Sequence, residues 1–257
     1  MIDPRAVVDP SARLAPDVTV GPFSVIDAEV EIGAGTRIGP HVVIRGPTRI
    51  GRDNRIFQFA SLGEMPQDKK YGGEPTRLEI GDRNTIREFV TINRGTVQDA
   101  GLTRLGDDNW IMAYVHIAHD CAVGNRTIFA NGASLAGHVC VEDDVVLGGF
   151  ALVYQFTRLG MHSFCGFACG VHRDVPPYVT VAGYRAEPFG INAEGLRRRD
   201  FADEEIQAIR RAYKAVYRAN LRLEEAAEKV REMAKEWPRL HILADFLVAP
   251  SRNGIVR

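Results

Sequence analysis

Three of the seven histidines fall close together, His116, His119 and His138, and Asp120 directly follows the second. A neutral imidazole is the side chain best suited to taking a proton from a hydroxyl near neutral pH. A carboxylate beside it can fix the ring's tautomer and stabilise the imidazolium as it forms. Gly137 precedes His138, and a glycine amide can come close enough to a reacting carbonyl to hold an oxyanion. His119, Asp120 and Gly137 are therefore the catalytic candidates, for an acyl transfer without a covalent enzyme intermediate. The four cysteines offer less: Cys121, Cys165 and Cys169 sit at apolar positions of a repeat, and nothing around Cys140 argues for an activated thiolate.

The elements that must position these groups are written in a repeat of six. Ile2, Val8, Leu14, Val20, Ile26, Ile32, Ile38, Ile44, Ile50, Ile56 and Leu62 keep that spacing without a miss. It returns at Ile80, Ile86 and Ile92, then runs from Leu105 to Val171. A small or β-branched residue stands two positions before many of these, and glycine often follows. Six fits neither a helix nor a hairpin strand, but it fits a short strand, a glycine-assisted corner and the next strand. Three such faces make a coil of 18 residues, stacking at roughly 4.8 Å. Adding 18 carries a residue to the same place one coil away. His119 then aligns with Gly137 and Gln155, and Asp120 with His138. Imidazoles, a carboxylate, a glycine amide and a side-chain amide so gather along one edge.

Two polar segments, 64–76 and 95–103, break the count and must loop off the prism. Long loops on a rigid solenoid are where binding groups tend to sit. Asp174 to Tyr178 reads as the turn that ends the coils, and Gly183 to Gly195 as a connecting segment. From about Phe201 the period becomes helical. Ile206, Ile209, Tyr213, Val216 and Tyr217 form one stripe, with Arg211, Lys214 and Arg218 beside it. Further helices are expected over Leu223–Trp237 and Leu240–Val248. The reading is a mainly β chain: a parallel β-helix over 1–190, then a small α-helical C-terminal domain over 191–257.

Charged residues at 25% and apolar ones at 45% exclude wholesale disorder, and a net charge of −1 gives no global field for nucleic acid. The first residues lack the pattern of a signal peptide, and the longest apolar run, Val145 to Tyr154, is too short to span a bilayer. A cytoplasmic protein without a transmembrane segment is expected. Two other classes compete for the histidine cluster. A trimeric zinc β-helix carbonic anhydrase would use His116, His119 and His138 as ligands, but the adjacent carboxylates and glutamine suit a polar substrate better. A non-enzymatic β-solenoid scaffold would show flat threonine or serine rows, which this chain lacks.

The strings His116-Ile117-Ala118-His119-Asp120, Leu135-Ala136-Gly137-His138-Val139 and Asn192-Ala193-Glu194-Gly195-Leu196-Arg197-Arg198 resemble the UDP-N-acetylglucosamine O-acyltransferase family of lipid A biosynthesis. Gln67 to Thr76 and Asp174 to Tyr178 match as well, and the resemblance runs through the whole chain. It implies a left-handed β-helix and a homotrimer with active sites between subunits. It also implies transfer of a (3R)-3-hydroxyacyl group from acyl carrier protein to the 3-hydroxyl of UDP-N-acetylglucosamine, with no cofactor and no metal. By position, His119 is the base and Gly137 the oxyanion donor. His116 and His138 contact the sugar nucleotide, Asp68 meets the acyl hydroxyl and Lys70 lies beside it. Gln155, Asn192, Glu194 and Arg198 hold the nucleotide, and Arg198, Arg199, Arg210 and Arg211 steer the acidic carrier protein.

Two positions depart from the family pattern. Tyr154 stands where relatives usually carry histidine, which opens an alternative, N-acylation of the 3-amino analogue of the sugar. Phe167 stands where many long-chain relatives have glycine. A ring there fills the space of several methylenes, so a donor of C10–C12 is expected.

Overall fold

The computed structural model describes residues Met1–Arg257. Its strands, most of two residues, stack into three sheets of nine, eight and ten strands, the three faces of a prism, all parallel except for the last strand of the ten. The nine-strand face runs from Val7–Val8 to Gly170–Val171, and the eight-strand face from Arg13–Leu14 to Arg158–Leu159. Register follows the 18-residue rule, with His116 opposite Ser134 and Ala122 opposite Cys140. At the two interruptions the offset widens, Ser61 facing Thr91 and Thr91 facing His116. The inward residues of the repeat, joined by Tyr213 and Val256 from the C-terminal part, form one buried cluster of 41 residues that includes Cys121, Cys165 and Cys169. Each fully buried Ile or Leu there contributes roughly 1.5–3 kcal/mol, which makes the prism a rigid frame for its edges.

Glycines that directly follow the inward residues, such as Gly21 and Gly33, do not turn the corners as the repeat suggested. A Cβ on Gly21 or Gly33 would lie 2.7 Å from the backbone of the next coil, so these glycines let coils approach. The turning is done mostly by non-glycine residues such as Phe23, Glu29, His41 and Asp53, with φ between 55° and 60°, and by Gly35 and Gly132 in the same columns.

The stack also continues past Val171. Val175 bridges Leu159 and Val181 pairs with Cys165, a spacing shortened to 16 residues because Val175 comes only four positions after Val171. The segment expected only to connect contains an antiparallel strand, Glu187–Ile191, and helix α1, Ala193–Arg197. Helices α2 (Asp203–Tyr217), α3 (Leu223–Ala234) and α4 (His241–Val248) pack around a second cluster of 18 buried residues. α3 ends three residues before Trp237, which is non-helical (φ −122°, ψ 82°), as the clash with the following proline ring disfavours the α conformation there.

Candidate active site

Both insertions and the histidine cluster leave the prism at one corner, between the nine-strand and eight-strand faces. Asp120 turns its coil there with φ 59°, and its carboxylate is almost wholly buried. Oδ2 accepts from His119 Nδ1 at 2.8 Å and from the Thr96 hydroxyl at 2.6 Å, while Oδ1 accepts the Thr96 N–H at 2.8 Å. With Nδ1–H given to Asp120, His119 carries its lone pair on Nε2. A Cβ on Gly137 would lie 2.6 Å from Cε1 and 2.7 Å from Nε2 of that ring, so only glycine admits the imidazole in this place. The Gly137 N–H donates to no group of the chain.

His138 meets His119 edge to face, with ring centres 5.1 Å apart, and stacks on Phe156 at 4.4 Å. Its Nδ1 is 3.0 Å from Asp99, and its Nε2 is 3.8 Å from Asp120. The Arg252 guanidinium lies 3.7 Å from the Phe156 ring centre. His116 bonds the Thr91 hydroxyl through Nδ1 at 2.7 Å. Burial first, and the charge of His119 second, hold its pKa below the ordinary imidazole value. His119, Asp120 and His138 place donor atoms within 4.8 Å of one another, the one such set open to a cation. His116, counted as a ligand in the zinc reading, is not part of it.

The repeat does not single out Thr96 or Asp99, although both lie in the second polar segment, where binding groups are expected. The offset across it is 25 residues rather than 18 (Thr91 to His116), so the repeat could not index which of its residues face the histidines. Arg94 ties the two insertions together: it bonds the Tyr71 hydroxyl at 3.1 Å and the Gly63 carbonyl at 2.9 Å.

The other candidates are not gathered here within one chain. Tyr154 and Gln155 share the histidine corner and are exposed, Tyr154 with its ring 6.0 Å from His172. Asp68 accepts the Lys70 N–H at 3.0 Å, in the first insertion of that corner. Asn192 caps α1, accepting the Gly195 N–H at 3.1 Å, and donates to the His162 carbonyl at 3.0 Å. That places Asn192, Glu194 and Arg198 beside a second corner, between the eight- and ten-strand faces. Phe167 stands at the third corner, 75% exposed and edge-on to Phe150 at 6.1 Å.

The carrier-protein patch needs correction at Arg199. Its guanidinium pairs with buried Asp144 and bonds the Arg126 carbonyl at 3.1 Å, so it is committed to the prism. Arg210 is exposed, and Arg211 lines a shallow cleft between α2 and α3 with Lys214, Arg218 and Lys229.

A hexapeptide prism with an activated histidine on one edge defines a hexapeptide-repeat transferase. Residues 103–137 match the family described as bacterial transferase hexapeptide, and residues 174–256 match UDP-N-acetylglucosamine O-acyltransferase, domain 2. The acyl-[acyl-carrier-protein]–UDP-N-acetylglucosamine O-acyltransferases of Alkalilimnicola ehrlichii and Janthinobacterium sp. are 62% and 61% identical to this chain. In each case 100% of the chain and 99% of the relative are covered. Solved structures of the Francisella novicida and Moraxella catarrhalis enzymes superpose with TM-scores of 0.97, at 44% and 43% identity. Both cover the whole chain, and 94% and 99% of the respective relatives. The chain belongs to the UDP-N-acetylglucosamine O-acyltransferase family, and its fold is that family's left-handed β-helix with a helical C-terminal domain.

Proposed function

We propose that this chain transfers a (3R)-3-hydroxyacyl group from acyl carrier protein to the 3-hydroxyl of UDP-N-acetylglucosamine, the first step of lipid A biosynthesis. The observation that carries the mechanism is the His119 Nδ1 contact of 2.8 Å with buried Asp120. His119 Nε2 takes the sugar hydroxyl proton as that oxygen adds to the thioester carbonyl. The tetrahedral oxyanion accepts the Gly137 N–H. Collapse breaks the C–S bond, and the proton on His119 passes to the departing thiolate of the carrier. Base and oxyanion donor both belong to the chain, so the reaction calls for no cofactor and no metal. No helix is long and apolar enough to cross a membrane, and we place the enzyme in the cytoplasm with its carrier-protein donor.

The assembly is a homotrimer in this reading. Within one chain the histidines, α1 and Phe167 occupy three different corners, so a complete site needs groups from neighbouring copies. His138, His116 and Gln155 contact the sugar nucleotide, as do Asn192, Glu194 and Arg198 from another edge. Asp68 and Lys70 meet the acyl chain near the thioester. Phe167 ends the acyl groove and selects a C10–C12 donor. Arg198, Arg210 and Arg211, joined by Lys214, Arg218 and Lys229, receive the acidic carrier protein.

A second reading rests on Tyr154, half exposed at the histidine corner: an amine at sugar position 3 as acceptor, giving an amide. Purified enzyme supplied with hydroxyacyl carrier protein and both nucleotides decides by mass spectrometry. The ester of UDP-N-acetylglucosamine is the expected product, and exclusive amide formation would refute the hydroxyl acceptor.

A further inference from the structure

At the corner between the eight- and ten-strand faces, Asp143, Asp144, Arg126 and Arg199 form a closed network of two carboxylates and two guanidiniums. Arg126 reaches Asp144 through Nε at 3.0 Å and through its terminal nitrogen at 3.1 Å, and Asp143 at 2.8 Å. Arg199 pairs with the same Asp144 carboxylate and donates to the Arg126 carbonyl at 3.1 Å. Asp144 is only 7% exposed, and a buried carboxylate that lost its cations would be strongly destabilising.

What this network holds is α1. Arg199 lies two residues past the helix end, and Asn192 at the other end donates to the carbonyl of His162, one coil above Asp144. The five-residue helix is thus clamped at both ends to one edge of the prism, with Leu196 buried beneath it. Between the clamps, Glu194 and Arg198 stand 66% and 76% exposed, joined by a 3.1 Å ion pair. A five-residue helix has little stability of its own, so its placement comes from these attachments.

We propose that Asp144 and Arg199 are positioning residues for the acceptor nucleotide, setting the placement of the Asn192–Arg198 segment through the buried ion pair. This rests on the reading that the segment holds the nucleotide. Neither residue touches substrate. Their loss shifts the exposed polar groups of α1 and leaves the His119 corner intact, because the two lie on different edges of the chain.

The test uses the full-length enzyme with Arg199→Met and Asp144→Asn, and measures Michaelis constants for both substrates, kcat and Tm. The Michaelis constant for UDP-N-acetylglucosamine should rise at least about fivefold in each variant with kcat within about twofold, as misplacement of binding groups predicts. The constant for acyl carrier protein should not move. Arg199→Lys keeps the charge toward Asp144 but cannot reproduce both contacts, so it should recover part of the loss. A lower Tm with unchanged nucleotide Michaelis constants would overturn the proposal. So would a rise confined to the carrier-protein constant in Arg199→Met, which would return Arg199 to the docking patch. Should Asp144→Asn not fold, the two Arg199 variants still decide. Arg198→Ala is the control: if it leaves nucleotide affinity unchanged, the fault lies in the reading of the segment, whatever Arg199 does.

Discussion

Two corners of the prism carry the same motif and do different work. Asp120 lies one coil below His138, and Asp144 lies one coil below His162. All four residues turn their corners in the left-handed backbone region, with φ between 59° and 63°. In both pairs His Nε2 is 3.8 Å from the carboxylate, and in both the histidine stacks within 7° on an aromatic ring, Phe156 or Tyr178. The difference is in what saturates the aspartate and what covers the pair. Asp120 is held by Thr96 and by a second imidazole, His119, whose Nε2 faces a position where glycine leaves room. Asp144 is held by two arginines, and His162 is closed over by Phe201 at 5.1 Å. An Asp–His column therefore becomes a candidate for catalysis only where a second base and a gap accompany it.

Breaking the carboxylates separates the two corners most sharply. Asp120→Asn should lower kcat on the order of 10²–10⁴-fold, because the amide can present the wrong group to His119. Asp144→Asn should leave kcat nearly unchanged. Steady-state kinetics at saturating substrates reads both. Gly137→Ala should follow at about 10²-fold in kcat, since the methyl needs the space of the His119 ring. The corresponding change at the other corner, Met161→Ala, should leave turnover within about twofold. Thr96→Val removes one hydrogen bond to a charged group, worth about 1.5–3 kcal/mol, and should lower kcat by roughly tenfold or more while circular dichroism stays native.

Acid should expose the structural corner. Burial is the main cause pulling the His162 pKa down to about 4, with the charges of Arg199, Arg239 and Arg126 adding to it and Asp144 opposing. The folded value lies below that of a free imidazole, so protonation favours unfolding. Its contribution to stability is complete above pH 6.5 and is lost as pH falls toward 4. Tm should drop across that window, and His162→Phe should flatten part of the slope. The smallest effect concerns Phe167. Phe167→Gly should move donor preference toward longer acyl chains, by roughly 0.8 kcal/mol per methylene accommodated. Competition among hydroxyacyl carrier proteins measures it, and an unmoved preference would place the end of the groove elsewhere.

The prism was legible because its inward residues obey one short period, and the helical tail because its apolar stripe changes to another. The His119–Asp120–Gly137 grouping followed from adding 18. The same addition, however, pairs Asp144 with His162, so column alignment alone does not distinguish a reactive corner from a structural one. Thr96 and Asp99 were hidden by an insertion that breaks the count. Arg199 looked like one of several surface arginines, because its partner Asp144 is 55 residues earlier in the chain. Val175 and Val181 escaped because two residues are lost from the repeat between Val171 and Val175.

The central claim is that the Asp120 corner performs the chemistry while the Asp144 corner holds the structure. Its most direct test is to prepare His119→Ala and His162→Ala side by side and measure kcat and Tm for each. His119→Ala should lose on the order of 10²–10⁴-fold in kcat with Tm little changed. His162→Ala should keep kcat within about threefold and lose several degrees of Tm, as the loss of a buried aromatic contact predicts. Near-normal turnover in His119→Ala, or a loss of turnover at constant Tm in His162→Ala, would contradict the assignment.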